Sequence, residues 1–200
     1  MSFSAKLISQ LGNPAGLTGW LVLWRLNRAN RGMNDLAYRA LDLSENDRVL
    51  EIGFGGGALI DKIYKQNIVT FLAGIDTSAL AVKFSKKRFQ SAIRAGKIEL
   101  FQGGEQSLPF DDATFSKVCC VNLIYFWNDV VGMMTEVARV LSCGGTFVVC
   151  YNEWAPDGKT QFSSQRVEDS LLAAGFITCT TEQGGDGHND KYYCTVATLD

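Results

Sequence analysis

The sequence has little histidine, little net charge and no long apolar run, and each shortage argues against a class of protein. Among 200 residues His188 is the only histidine, and none of the six cysteines forms a C-x-x-C pair. A metal site of cysteine and histidine is therefore not expected, and the thiols should be reduced and mostly buried. The formal net charge of −2 disfavours nucleic acid as a partner, because phosphate binding needs clustered lysine and arginine. The apolar stretch GLTGWLVLW is too short to span a bilayer, so we expect a cytoplasmic protein.

From residue 48 onward, short runs of β-forming residues alternate with helical patterns. This alternation predicts a parallel sheet with helices on both faces, and right-handed crossovers make it a doubly wound α/β domain. The last two strands, 176–183 and 191–199, are separated by too few residues for a helical crossover, so they should pair antiparallel. We therefore predict a mostly parallel seven-stranded sheet with an antiparallel C-terminal strand. The other predicted strands are Val49–Ile52, Val69–Ile75, Ile98–Phe101, Val118–Leu123 and Thr146–Tyr151, and the helices between them are Ala58–Tyr64, Ala79–Ile93, Val130–Leu141 and Phe162–Ala174.

A helical extension is predicted over residues 1–44, ahead of the sheet domain at residues 45–200. Leu17–Asn30 carries apolar residues at helical spacing with arginines elsewhere on the helix, and a second short helix, Asn34–Leu41, follows. Two interpretations stay open. The helices either pack on the edge of the sheet with their arginines in solvent, or cover the ligand end of the sheet as a lid.

Four glycines follow the first predicted strand in the stretch VLEIGFGGGALI. In an open parallel sheet, ligands bind beyond the carboxyl ends of the strands. Gly53, Gly55 and Gly57 let the chain turn tightly and bring bare backbone against a ligand. The spacing Gly53-x-Gly55-x-x-Ala58 fits a dinucleotide-binding fingerprint. With Glu51 included, the pattern E-x-G-x-G-x-G resembles motif I of the class I S-adenosylmethionine-dependent methyltransferases.

The resemblance to this family extends beyond the glycine stretch. Asp76 ends the second strand about 20 residues past the glycines, where a carboxylate can bind both hydroxyls of a ribose. After the third strand, FQGGEQSLPFDDATFSKVCCVN looks like the family's segment of the type GDAE-LPF-D-SFD. One departure is Gly104, because the family often has an aspartate there for the adenine amino group. Residues 10–55 are similar to a group of bacterial methyltransferases of mostly unassigned substrate, so the resemblance covers nearly the whole chain. Within the family, the chain resembles the small-molecule, type 11-like branch.

The resemblance implies a Rossmann-like methyltransferase fold that uses S-adenosylmethionine. Glu51 would hold the ammonium of the methionine moiety directly or through water, and the glycine turn would admit its carboxylate and the ribose. Asp76 would bind the ribose. The backbone N–H of Glu105 would serve the adenine ring, and its side chain would replace the missing aspartate. The residues implied to bind the cofactor are Glu51, Gly53, Phe54, Gly55, Gly57, Asp76, Thr77, Gly104, Glu105 and Asn122.

The fourth strand runs into NLIYFWND, where Asn122 and Tyr125 keep the spacing of the N-P-P-Y loop of enzymes that methylate nitrogen. The two prolines are absent, so this loop is not rigid in the same way. In the small-molecule branch of the family, an aromatic cluster ends this strand and walls the pocket. Asn122 and Tyr125 are therefore our candidate catalytic residues. Tyr125, Phe126 and Trp127 either face the sulfonium or the acceptor, or belong to the core.

Several of the other candidates also have a purely structural interpretation. Glu51 can cap the helix that follows the glycines, and Asp76 can be the N-cap of the next helix. Leu108 and Phe110 either wall the adenine pocket or belong to the core. His188, on a glycine-rich hairpin, is expected to be a surface residue.

Methyl transfer from a sulfonium is an in-line displacement, so orientation can supply much of the acceleration and no acid or base is compulsory. We predict an enzyme acting on a small, apolar or aromatic acceptor, with Glu153 and Trp154 at the mouth of the pocket. A second hypothesis is a non-catalytic nucleoside-binding module that docks on a partner or a membrane through its N-terminal helix, where Trp20 and Trp24 lie beside arginines. An NAD-dependent oxidoreductase is disfavoured because no Tyr-x-x-x-Lys occurs.

Overall fold

A seven-stranded sheet lies at the centre of the protein, in a computed structural model that describes residues 28–104, 107–154, 161–185 and 191–200. Its strands are β1 Arg48–Ile52, β2 Phe71–Asp76, β3 Ile98–Gln102, β4 Phe115–Val121, β5 Leu141–Asn152, β6 Thr178–Gly184 and β7 Tyr192–Thr198. The strand order is β3-β2-β1-β4-β5-β7-β6. Strands β1 to β5 pair in parallel, whereas β7 is antiparallel to β5 and to β6. The predicted doubly wound sheet with an antiparallel C-terminal strand is confirmed.

Helices cover both faces of this sheet. They are α1 Arg31–Ala40, α2 Ala58–Gln66, α3 Ala79–Arg88, α4 Gln90–Arg94, α5 Val130–Val140 and α6 Ser164–Ala173, with a 3-10 helix at Ile124–Phe126. The predicted helix Ala79–Ile93 is in fact two helices, because the backbone leaves helical geometry at Phe89 (φ −101°, ψ 19°). α6 begins at Ser164 rather than at the predicted Phe162, because Ser163 caps this helix by accepting the N–H of Arg166.

Successive strand residues contribute to two separate cores. The neighbours Cys119 and Cys120 in β4 are both fully buried and lie in different cores, as the alternation of side chains along a strand requires. One core lies between the sheet and α5 and α6, and the other between the sheet and α1 to α4. The six cysteines are free thiols.

The N-terminal extension is described from residue 28. α1 begins at Arg31, earlier than the predicted helix Asn34–Leu41, and ends at Ala40 with Leu41 as its C-cap. It packs Met33, Leu36 and Ala37 on the sheet. Most of Leu17–Asn30, including Trp20 and Trp24, lies outside the described residues, so the lid and the docking surface stay predictions. No helix in the described part of the chain has the length and apolar character needed to cross a membrane.

Candidate active site

The glycine stretch forms a tight turn between β1 and α2, at the carboxyl edge of the sheet. Gly53, Gly55 and Gly57 have φ values of 73°, 51° and 69°, in the left-handed region that disfavours residues with a side chain. The N–H of Gly53 donates to the carbonyl of Ile75 in β2 at 2.7 Å. The turn is therefore hydrogen-bonded to the neighbouring strand β2 as well as being covalently continuous with β1.

Two of these glycines also make room for protein side chains. A Cβ atom on Gly53 would lie 2.7 Å from Cδ1 of Leu123, and one on Gly57 would lie 2.7 Å from Cε2 of Phe89. Both separations are shorter than a van der Waals contact. Close approach of a ligand is therefore not the only reason why these two positions require glycine.

Asp76 points at the glycine turn from the end of β2. Its Oδ2 accepts the backbone N–H of Gly55 at 2.7 Å, and its Oδ1 accepts that of Ser78 at 2.8 Å. The side chain is buried, and burial raises the pKa of this carboxyl above its ordinary value. Asp76 is not the N-cap of α3, because Ser78 occupies that position and accepts the N–H of Ala81.

Glu51 lies in β1, two residues before the turn, and is 3% exposed. Capping of α2 by Glu51 stays a prediction, although burial, which raises the pKa of this carboxyl, is partly opposed by the backbone N–H of Ile60 in the first turn of that helix. Burial, with a smaller contribution from repulsion by Asp76, raises the pKa of Glu51 to about 8. Its Oε2 is buried with no hydrogen-bonding partner among the described residues. A buried carboxylate oxygen without a partner is unfavourable in the empty protein and suits a cationic ligand.

Residues of α3 hold the glycine turn from outside, and they were not predicted from the sequence. The Arg88 guanidinium donates to the carbonyl of Gly56 at 2.9 Å and pairs with the Asp61 carboxylate at 2.9 Å. The Ser85 hydroxyl donates to the carbonyl of Gly55 at 3.3 Å. No local pattern signals these roles, because the turn and its supports come from different elements.

The loop after β4 is joined to the end of β5. Asn122 has a positive φ of 56°, and its N–H donates to the carbonyl of Cys150 at 2.7 Å. Asn152 Nδ2 donates to Asn122 Oδ1 at 3.0 Å, and Asn122 Nδ2 donates to Asn30 Oδ1 at 3.2 Å. The Tyr125 hydroxyl accepts the N–H of Asn152 and donates to its carbonyl at 3.3 Å. Asn30 and Asn152 were not predicted from the sequence.

The aromatic residues of this loop differ in burial, and the half-buried Tyr125 packs against the core. Trp127 is buried in the core. The ring of Tyr125 makes edge-to-face contacts with Phe126 and Phe162, at centroid distances of 6.2 Å and 5.2 Å. Burial raises the pKa of the Tyr125 hydroxyl. Because its proton is donated to the Asn152 carbonyl, Tyr125 in this arrangement is a poor general base, and its catalytic role stays a prediction.

The Leu-Pro-Phe turn, Leu108–Phe110, is hydrogen-bonded to α5. Glu136 Oε1 accepts the N–H of Leu108 at 2.9 Å, and Arg139 donates to the carbonyls of Leu108 and Phe110 at 3.0 Å and 2.9 Å. The side chain of Leu108 is buried in the core, in agreement with the core interpretation. Phe110 is half-buried and packs against that core, so its contact with adenine stays a prediction. Glu105, the predicted adenine contact, lies outside the described residues.

A family model described as a methyltransferase domain matches residues 50–149. The uncharacterized methyltransferase YdaC of Bacillus subtilis is 27% identical over 151 residues, which is 74% of this chain and 81% of YdaC. The fatty-acid O-methyltransferase of Mycolicibacterium smegmatis is 33% identical over 104 residues, 52% of this chain and 36% of that relative. A SAM-dependent methyltransferase from Aquifex aeolicus has the same fold, with a TM-score of 0.73 at 15% identity over 100% of both chains.

The chain belongs to the class I S-adenosylmethionine-dependent methyltransferases. It is therefore an enzyme of the type 11 branch, and S-adenosylmethionine is its cofactor. The dinucleotide interpretation of the glycine turn is not supported by this membership.

The residues of this methyltransferase suit the cofactor's chemistry. Glu51 offers a buried oxygen without a described partner, which suits an ammonium. Asp76 is held at the turn by two backbone N–H groups and keeps further acceptor positions for hydroxyls. Phe54 is buried in the core, so its predicted contact could come only from its backbone. Thr77 is half-buried beside Asp76. Gly104, with φ 92°, lies at the end of β3 against Ile75.

Proposed function

We propose that this methyltransferase acts on a small apolar acceptor at the carboxyl ends of β4 and β5. The observation that carries the proposal is an aromatic cluster of Tyr125, Phe126 and Phe162 at that edge. Trp154, just past β5, is 49% exposed and offers apolar surface beyond the carboxyl end of that strand. The relative named a fatty-acid O-methyltransferase also favours an apolar acceptor, because a fatty acid is largely hydrocarbon.

A cleft of about 280 Å³ adjoins this cluster between α5 and α6. Half of its lining is apolar, namely Val130, Val131, Phe162 and Val167, and half is polar, namely Asn128, Asp129, Arg166 and Ser170. This volume is near the lower limit of ordinary small-molecule pockets, about 300 Å³. The cleft supports an acceptor with a short or narrow apolar part.

The proposed cofactor site uses both neighbours of the glycine turn. Glu51 binds the ammonium through Oε2, Asp76 binds the ribose hydroxyls, and the backbone of Gly53 to Gly57 borders the methionine portion. When bound, S-adenosylmethionine would supply a methyl group on its sulfonium sulfur: a bond from the acceptor's nucleophilic atom to the methyl carbon would form as the carbon–sulfur bond breaks, and S-adenosylhomocysteine would leave. The protein's part is to orient the two reactants and to exclude water, and orientation can contribute about 7–11 kcal/mol in favourable cases.

The acceptor class can be tested with radiolabelled S-adenosylmethionine. The purified enzyme is incubated with an organic-solvent extract and, separately, with an aqueous extract of bacterial cells. We expect label to appear in the organic extract, and Trp154→Ala should reduce it severalfold without changing the affinity for S-adenosylhomocysteine. Label confined to the aqueous extract, or absent from both, would refute the apolar acceptor.

A further inference from the structure

Three asparagines form a chain of hydrogen bonds at the carboxyl edge of the sheet. Asn152 Nδ2 donates to Asn122 Oδ1 at 3.0 Å, and Asn122 Nδ2 donates to Asn30 Oδ1 at 3.2 Å. Asn30 and Asn122 are 92 positions apart, and Asn122 and Asn152 are 30 apart. The fold, rather than local sequence, brings these three amides together.

Asn30 does not cap α1, and its side chain belongs instead to this chain of hydrogen bonds. It stands immediately before α1, at a position where an asparagine side chain usually caps the helix by accepting a backbone N–H. Its side chain makes no capping hydrogen bond. The Oδ1 atom instead accepts from Asn122, so the start of α1 is bound to the end of β4.

Asn122 is fixed at its backbone as well as at its side chain. Its positive φ of 56° is a conformation that asparagine tolerates better than most residues, and its N–H is bound to the carbonyl of Cys150. The next residue, Leu123, packs on Gly53, where an added Cβ would approach its side chain to 2.7 Å. The orientation of Asn122 therefore fixes a residue that contacts the glycine turn.

The sheet order places this chain on one side of the cofactor site. β1 lies between β2 and β4. Asp76 ends β2, whereas Asn122 follows β4, so the two lie on opposite sides of the turn after β1. The asparagine chain is thus on the side away from the proposed ribose contact.

We propose that Asn30, Asn122 and Asn152 are positioning residues for the methionine portion of the cofactor. Their chain holds the Asn122–Leu123 backbone against the glycine turn and so sets the width of the site on the β4 side. The proposal rests on the proposed function, in which Glu51 binds the ammonium and Asp76 binds the ribose.

The test compares two probes by calorimetry: S-adenosylhomocysteine, and 5′-methylthioadenosine, which lacks the amino-acid portion. Asn30→Ala should weaken binding of S-adenosylhomocysteine at least fivefold and binding of 5′-methylthioadenosine less than twofold. Asn34→Ala is the matched control, because Asn34 is an asparagine of α1 that does not belong to the three hydrogen-bonded asparagines. It should leave both affinities unchanged.

The direction of donation gives a second, sharper comparison. Asn30 acts as an acceptor, so Asn30→Asp keeps an oxygen for Asn122 Nδ2 and should restore the affinity lost in Asn30→Ala. Asn122 must donate to Asn30, so Asn122→Asp would bring two oxygens together and should weaken S-adenosylhomocysteine at least as much as Asn30→Ala does.

Two results would overturn the proposal alone: wild-type binding that Asn30→Ala does not change, or an equal loss for both probes accompanied by a lower unfolding temperature, as expected of a merely structural residue. Failure of the wild-type enzyme to bind either probe would instead overturn the cofactor site itself, and this proposal with it. The two failures are therefore distinguishable.

Discussion

The Asp76 carboxylate lies 2.7 Å from the backbone nitrogen of Gly55 and accepts its hydrogen bond. The acid at the end of β2 is thus part of the glycine turn after β1. Its other oxygen accepts the N–H of Ser78 at 2.8 Å. Because a carboxylate has about four acceptor positions, two remain for ribose hydroxyls. The same side chain can therefore stabilise the empty turn and bind the ligand.

Asp76→Asn should reduce both stability and ligand binding. The amide has one oxygen, so one of the two backbone N–H groups would face an NH2 group instead of an acceptor. Leaving one buried donor unsatisfied costs about 1–3 kcal/mol, measured by urea unfolding. The affinity for S-adenosylhomocysteine should fall by about 1–3 kcal/mol for the same reason.

Asp42→Asn is the control for Asp76→Asn. Asp42 is exposed and already has a φ of 43°, a backbone conformation that asparagine also adopts. This change should affect neither measurement. An Asp76→Asn enzyme with wild-type affinity would contradict the ribose assignment.

Glu51 should release a proton when the ligand binds. With a pKa of about 8, its carboxyl is mostly protonated in the empty enzyme at pH 7. Binding an ammonium requires the ionised form. Calorimetry of S-adenosylhomocysteine binding in buffers of different ionisation enthalpy should therefore detect release of nearly one proton. Glu51→Gln should release none, and equal release in both proteins would assign the proton to another group.

The same group gives a pH dependence of stability. The pKa of Glu51 is raised from 4.5 to about 8 by burial, so between these values the folded chain holds a proton that the unfolded chain has lost. Its contribution to the free energy of unfolding is fully present below 4.5 and is lost as the pH rises through about 8. The wild-type enzyme should lose stability relative to Glu51→Gln across this range, and a constant difference between them would refute the shift.

The parts of the site that follow from local order were predictable from the sequence. The alternation of strands and helices fixes which residues stand at the carboxyl ends of parallel strands. Glu51, the glycine turn and Asp76 therefore come together as expected. The spacing of Asn122 and Tyr125 also located the loop after β4.

The supports of the site were not predictable, because each depends on a contact between distant elements. Arg88 binds the carbonyl of Gly56 from the end of α3, and nothing in the adjacent sequence indicates that partner. Asn30 has the residue type of a helix cap, yet it binds Asn122. A single sequence records the residue type at each position but not which partner the fold supplies.

Gly53→Ala should destabilise the enzyme more than Gly96→Ala does. Both glycines have a positive φ, 73° and 67°, so both substitutions introduce similar backbone strain of about 1–2 kcal/mol. Only at Gly53 would the new methyl group meet a side chain, that of Leu123, whereas nothing lies within 4 Å at Gly96. Overpacking adds about 1–3 kcal/mol, measured by urea unfolding.

The clash at Gly53 can be isolated with a second substitution. Adding Leu123→Ala to Gly53→Ala removes the obstructing side chain and should recover part of the loss beyond that of Leu123→Ala alone. Purely additive effects would show that Leu123 moves aside without cost.

Arg139→Lys should loosen the turn that contains Leu108 and Phe110. The guanidinium donates to both carbonyls and to Glu136 at once, whereas a lysine ammonium lacks the planar fork needed to span them. Loss of these bonds should cost about 1–3 kcal/mol of unfolding free energy. Since the turn follows the segment implied to bind adenine, the affinity for 5′-methylthioadenosine should fall with it.

Arg166→Lys is the matched control for Arg139→Lys. Arg166 also donates to a backbone carbonyl, that of Gln161, but it does not join two points of a turn, so its substitution should have a smaller effect on both measurements.

Hydrogen bonding to Arg139 lowers the pKa of Glu136, so the contribution of that carboxylate to stability is present above its ordinary pKa of 4.5 and is lost as the pH falls through the lower folded value. The stability difference between wild type and Arg139→Lys should accordingly shrink under acid conditions. A difference that persists unchanged at low pH would mean that Arg139 acts through the carbonyls alone, without Glu136.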